Sequence, residues 1–194
     1  EEVIAWSQQA MVRLDSLVEE EGRREIMTGS ACQYTKAAQQ EVRQAYQETQ
    51  DNYEEHGLLQ AQFEAFLREE LKLDGALVEE VVAQGWGLAG VRQGDKIIAT
   101  KIPKSGFLVE YMEETDPARK RQYYCHCPRI RDVLQSEETL STTYCYCGAG
   151  YYQGIWEEIL GEPVEVELLE SVLQGDEVCK VAIALPGQKG GTAA

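Results

Sequence analysis

Val3, Ile4, Trp6, Ala10, Met11, Leu14, Leu17 and Val18 recur at steps of three and four, which lays one apolar stripe along an amphipathic helix. The charged stretch Glu19 to Arg24, centred on Gly22, reads as a break, with a short second helix over Arg23 to Met27. Thr28-Gly29-Ser30 is a stop-and-restart signal, Ser30 being suited to cap the next helix. Helix formers fill Tyr34 to Glu55, with Ala37, Val42, Ala45, Tyr46 and Tyr53 as the inner face and Gly57 as the end. Leu58, Leu59, Phe63, Phe66, Leu67 and Leu71 make the next amphipathic helix, closed by Asp74-Gly75, and Ala76 to Gln84 forms one more. The glycine-rich stretch from Gly85 to Gly90 is a loop; it lacks the Gly-Lys-Ser/Thr ending of a phosphate-binding loop.

After Gly94-Asp95 the periodicity shortens. Lys96 to Ile102 and Gly106 to Met112 read as strands joined at Pro103-Lys104-Ser105, and Gln122 to Cys127 and Leu140 to Cys147 as further extended segments. Pro128 opens a short helix to Leu134, and Gly148 to Leu160 is a helix with Ile155, Trp156 and Ile159 on its apolar side. Pro163 to Leu173 begins by alternating apolar and acidic residues, Gln174-Gly175-Asp176 is a hairpin turn, and Val178 to Leu185 pairs back. This order predicts an α+β fold: a helical N-terminal half over residues 1–93, then an antiparallel sheet with two inserted helices over 94–186. The small, polar tail, residues 187–194, is expected to be disordered.

Charge and composition narrow the function. Apolar residues make up 43% of the 194, enough for a core, yet no run approaches the roughly 20 needed to cross a bilayer, so no membrane partner is expected. No basic segment followed by an apolar one marks a leader, which points to the cytoplasm. The net charge of −16 repels phosphate backbones and disfavours nucleic acid as a partner. Arg119, Lys120, Arg121, Arg129 and Arg131 form a local basic patch, open to two readings: a solvated face, or attraction of a small anionic ligand. The stripe on the N-terminal helix suits packing on the domain or, equally, a homodimer through N-terminal helices.

Five of the six cysteines lie between Cys125 and Cys179. Tyr124-Cys125-His126-Cys127-Pro128 and Tyr144-Cys145-Tyr146-Cys147-Gly148 nearly repeat. On a strand the two cysteines of each pair share a face, and bends at Pro128 and Gly148 would let them close on one ion. Cys127 and Cys147 also precede predicted helices, where the dipole favours thiolate. Cys125, Cys127, Cys145 and Cys147 are therefore the candidate ligands of a metal, zinc before iron–sulfur; redox pairs and simple packing are the alternatives. His126 alternates to the opposite face from its cysteines. His126, Tyr144, Tyr146, Tyr151 and Cys179 are candidate walls of a small-molecule pocket. Cys32 reads as a core cysteine, a reactive thiol or a reach-over ligand, and His56 as a structural residue at a helix end. No Ser-His-Asp order, His-Glu-x-x-His or Walker motif is present.

From Tyr144 to Tyr151, through Ile155-Trp156, Leu160-Gly161 and Val164-Glu165-Val166, to Gln174-Gly175-Asp176 and Cys179, the chain resembles the vinyl-reductase-like small-molecule-binding domains. Its layout is also similar to proteins grouped with L-2-amino-thiazoline-4-carboxylic acid hydrolase. The resemblance covers about residues 122–186 and implies a sensor domain whose zinc is held partly by a cysteine after the hairpin glycine and another one strand earlier. Cys179 matches the later position; the earlier one falls near Ser171, so that any metal is expected to use the Cys-x-Cys pairs. The hydrolase likeness brings no catalytic residue with it. Three functions stay open: a zinc-bearing small-molecule binder, a small-molecule hydrolase and a thiol redox protein.

Overall fold

The computed structural model describes residues 2–32, 39–49, 52–136 and 138–186. Its architecture is α+β, with helices preceding a four-stranded antiparallel sheet. The chain divides into two compact units. One comprises residues 1–32, 101–151 and 168–180, and the other residues 33–100, 152–167 and 181–194. Every cysteine belongs to the first.

In the first unit, helix α1 (Glu2–Leu17) turns at Val18-Glu19 into α2 (Glu20–Gly29). Gly22 lies inside α2 instead of breaking it. A Cβ there would stand 2.8 Å from Cγ1 of Val18, so the glycine permits the tight corner between the helices. α2 does stop at Thr28-Gly29-Ser30, but the Ser30 hydroxyl bonds back to the Ile26 carbonyl at 2.8 Å and closes α2. The apolar stripe of α1 is only partly used. Met11 is buried, whereas Val3, Trp6 and Leu17 are 54%, 66% and 81% exposed.

Helix α6 (Leu108–Glu113), preceded by a 3-10 turn at Ser105–Phe107, occupies the stretch that reads as a strand from Gly106 to Met112. A short apolar run does not by itself separate strand from buried helix. Here Leu108 and Tyr111, three apart, both go inside while Val109 stays exposed. Helix α7 (Pro117–Tyr124) likewise takes up the start of the extended segment expected from Gln122 to Cys127. Asp116 caps it, its carboxylate accepting from the Arg119 N–H at 2.8 Å, and Pro117 stands at the first helical position. Helix α8 (Pro128–Leu134) forms where the proline predicts it. The predicted extended stretch Leu140 to Cys147 is instead a 3-10 turn, Thr142–Cys145, leading into helix α9 (Tyr146–Leu160), whose first six residues count with this unit.

The second unit holds α3 (Gln40–Thr49), α4 (Asn52–Ala65), a π-helical turn at Phe66–Glu70 and α5 (Gly75–Ala83), which Asp74 caps by accepting from the Leu77 N–H at 3.0 Å. Gly57 does not end a helix; α4 runs through it, and the His56 Nε2–H donates to the Gly90 carbonyl at 2.9 Å. Strand β1 (Val91–Gln93), which the pattern misses, pairs antiparallel with β2 (Lys96–Thr100) across Gly94, at φ +66°. With β3 (Glu165–Glu170) and β4 (Lys180–Ala184) the sheet order is β1-β2-β4-β3. Val42, Leu67, Val78, Ile97, Trp156 and Ile183 are among its fully buried side chains. The readings placed on Tyr34 and Ala37, on the side chain of Tyr53, and on residues 187–194 lie outside the described residues.

Candidate functional site

Tyr124, with no exposed surface, ties three distant stretches together. Its hydroxyl donates to the Lys101 carbonyl and accepts from the Cys179 N–H at 2.9 Å. The Lys101 N–H in turn donates to the Cys179 carbonyl at 2.9 Å, and the Lys104 N–H to the Tyr124 carbonyl at 3.1 Å. The Cys179 loop, the Lys101–Lys104 segment and the end of α7 are thereby fixed to one another.

The cysteines stand at helix junctions, not on strands. Cys125 is the residue after α7, Cys127 the one before α8, Cys145 ends the 3-10 turn and Cys147 lies in the first turn of α9. The alternation argument for a shared face within each pair therefore does not apply; the turns bring thiols near one another both within and across the pairs. Cys145 lies within Coulomb reach of Cys179, Cys125 and Cys147, and Cys125 within reach of Cys179 and Cys127. Cys147 lies within reach of Cys127 and Cys32. By these neighbours Cys125, Cys145 and Cys179 make one group, the inner one, and Cys127, Cys147 and the exposed Cys32 a second, the outer one, with Cys125–Cys127 and Cys145–Cys147 joining the two. All six are free thiols.

Burial dominates the electrostatics. Desolvation pushes the Cys125 thiol up to about 12 and that of Cys147 to about 11, and raises Cys145 and Cys179 as well. At Cys147 this outweighs the helix start, where a lowered value is the sequence expectation. The opposing contributions are local. Ser171, completely buried, hydrogen-bonds Cys145; the Val172 backbone bonds Cys179; and the Lys101 ammonium acts on Cys125, Cys147 and Cys179. The Cys125 thiol donates to the Cys127 carbonyl at 3.7 Å.

Ser171 is held by the hairpin turn. The carboxylate of Asp176 accepts from its N–H at 2.8 Å, its hydroxyl accepts from the Gln174 N–H at 3.3 Å, and Gly175 takes φ +99°. Lys101 is thus a site residue that the sequence does not single out, and Ser171 one that it names only as the position where the resemblance expects a cysteine. A lysine following a strand and a serine entering a turn carry no signal of their own until the fold sets them beside sulfur.

His126 is anchored to the main chain. Its Nε2–H donates to the Ile102 carbonyl at 2.8 Å, and burial lowers it to about 4, so the ring is neutral. The three tyrosines each meet a different neighbour. The Tyr144 hydroxyl accepts from Arg129 at 3.3 Å, and Tyr144 lies within reach of both Cys127 and Cys147. The Arg24 guanidinium sits 5.3 Å from the Tyr146 ring centre, and half-buried Tyr151 lies near Cys32. Of the basic patch, Arg129 reaches the thiols, whereas Arg119 pairs with Glu114, Lys120 lies over Tyr111 and Arg131 over Phe107. A cleft of about 380 Å³ on this unit, lined by Met112, Thr115, Lys120, Arg121 and Glu177 among others, includes none of the cysteines.

Among the described residues no three of His, Cys, Asp or Glu are arranged, as they stand, to hold a metal ion. None of the helices among those residues is long and apolar enough to cross a membrane.

Residues 111–189 match a family model described as a family of unknown function, DUF6144. That stretch carries Cys125, Cys127, Cys145, Cys147 and Cys179. No curated protein and no solved structure matches the chain.

Proposed function

We propose that the cysteine-bearing unit binds a soft divalent cation, zinc, on thiolates drawn from Cys125, Cys127, Cys145 and Cys147, with Cys179 as a fifth donor in reach, and that the held metal serves a small-molecule site at Tyr144, Tyr146 and Tyr151. One observation carries this reading. Five free thiols from three separate stretches of chain lie within Coulomb reach of their neighbours, and burial desolvates four of them, Cys125, Cys145, Cys147 and Cys179. Burial disfavours the negative charge at Cys125, Cys145, Cys147 and Cys179, and at the first three a neighbouring sulfur adds to that cost. A divalent cation offsets both costs, because a coordinating thiol is deprotonated outright. The thiols are gathered but not closed, so uptake has to draw their sulfurs inward.

Lys101 and Arg129 at the edge of the thiols favour an anionic small molecule. Thiol-catalysed hydrolysis is supported less well, because burial opposes the thiolate that such chemistry needs. The His126 ring, held by the Ile102 carbonyl, orients the loop between the first two cysteines and is not counted among the ligands.

Elemental analysis of protein purified without chelator, beside a count of reactive thiols, tests the proposal. About one zinc per chain with four thiols protected is the expected result. Metal-free protein that takes up no added zinc, with every thiol reactive, would overturn it.

A further inference from the structure

Within each Cys-x-Cys pair the two sulfurs have different neighbours. Cys125 turns its thiol to the Cys127 carbonyl and lies near Cys179, while Cys145 is bonded by Ser171. Cys127 and Cys147 remain as the outer members, and both flank Tyr144. The Arg129–Tyr144 hydrogen bond, 3.3 Å, pins the start of α8 to the turn that enters α9, which holds the two cysteines near one another. Both are half-buried, as Cys145 also is, whereas Cys125 is buried.

The geometry points to a modification site: Cys127 and Cys147 close into a disulfide across the two motifs when the protein meets a low-molecular-weight disulfide. The Cys127 thiolate attacks one sulfur of that molecule, forms a mixed disulfide and expels the first small thiolate. Cys147, giving its proton to solvent as it reacts, then attacks the Cys127 sulfur and expels the second. Two protein thiols lose two electrons and two protons, and the small disulfide is reduced to two thiols. The bridge uses sulfurs that the zinc reading also uses, yet it does not depend on a metal, so the two are tested apart.

Chelator-treated full-length protein is incubated with oxidised glutathione, alkylated without reduction, digested with trypsin and analysed by mass spectrometry. Tryptic cleavage separates residues 122–129, with Cys125 and Cys127, from residues 132–180, with Cys145, Cys147 and Cys179. A bridged pair of these peptides is expected. It should vanish in Cys127→Ser and in Cys147→Ser, and persist in Cys32→Ser, Cys125→Ser and Cys145→Ser, each variant first shown to melt cooperatively when reduced. Persistence of the bridge in both Cys127→Ser and Cys147→Ser, a bridge confined to one Cys-x-Cys pair, a bridge from Cys32, or no bridge in the folded protein would overturn the assignment. Zinc-loaded protein run in parallel reads out the metal proposal alone. Equal oxidation with and without zinc counts against zinc on these sulfurs and leaves the disulfide standing.

Discussion

The Tyr124 hydroxyl accepts a hydrogen bond from the Cys179 N–H at 2.9 Å while donating to the Lys101 carbonyl, so one buried phenol sets where Cys179 stands relative to Cys125. Tyr124→Phe keeps the ring and leaves both backbone groups unpaired in the interior. A loss of about 1–3 kcal/mol is expected in urea unfolding. The Cys179 thiol should also become more reactive toward a maleimide in the native protein. Unchanged stability with unchanged reactivity would mean that the phenol does not hold this loop.

Gly150 and Gly148 stand two residues apart in α9 and should respond oppositely to alanine. A Cβ at position 150 would lie 2.0 Å from the Thr28 carbonyl oxygen, and backbone of α2 has to move to admit it. Gly150→Ala is expected to cost about 1–3 kcal/mol. At Gly148 nothing stands within 4 Å, and alanine gains helix propensity, up to about 1 kcal/mol. Thermal melts of the two variants against the parent decide this directly.

Stability of the metal-free protein should fall on both sides of neutrality. His126 drops from its ordinary 6.5 to about 4 in the fold, so between those values the unfolded chain binds more protons, and stability present above 6.5 is lost as pH falls. The loss is at most about 3 kcal/mol. Cys125 and Cys147 shift the other way, from 9.0 to about 12 and about 11, so the native state keeps protons that the unfolded chain sheds, and stability declines as pH rises above 9.0. Urea midpoints across pH measure both limbs; His126→Gln should flatten the acid limb alone.

Zinc should raise the melting temperature of the parent. At a free concentration 100 times its dissociation constant the gain is about 2.7 kcal/mol. Cys145→Ser, which removes a thiol common to the inner group and the second motif, should reduce this gain. Cys32→Ser should keep it. Titrations followed by calorimetry separate the two cases, and equal binding by both variants would remove Cys145 from the ligand set.

Asp116→Ala should unfold α7 more readily, by about 1 kcal/mol, since its carboxylate is the cap of the helix that delivers Tyr124 and Cys125. Asp74→Ala, at the cap of α5 in the other unit, should cost a similar amount without changing cysteine reactivity. Urea unfolding and native-state thiol labelling of both variants test the pair.

Local chemistry made much of this legible in the sequence. Periodicity at threes and fours gives α1, proline gives the start of α8, and the Gln174-Gly175-Asp176 turn lies between β3 and β4, which are neighbours in the sheet. The doubled Cys-x-Cys motif marks the region in which the thiols gather. The stretches Gly106 to Met112 and Gln122 to Cys127 read as strands because short apolar runs satisfy either period until a cap such as Asp116 or a packing partner chooses. Which sulfur faces which depended on contacts between residues tens of positions apart, through Tyr124 to Cys179 and Ser171 to Cys145, and on burial that overrides the helix dipole at Cys147. The sequence by itself determined some of the elements, such as α1, α8 and the turn before β4, and the supply of thiols. Only the tertiary structure decided their grouping, because Coulomb reach and desolvation are properties of positions in space.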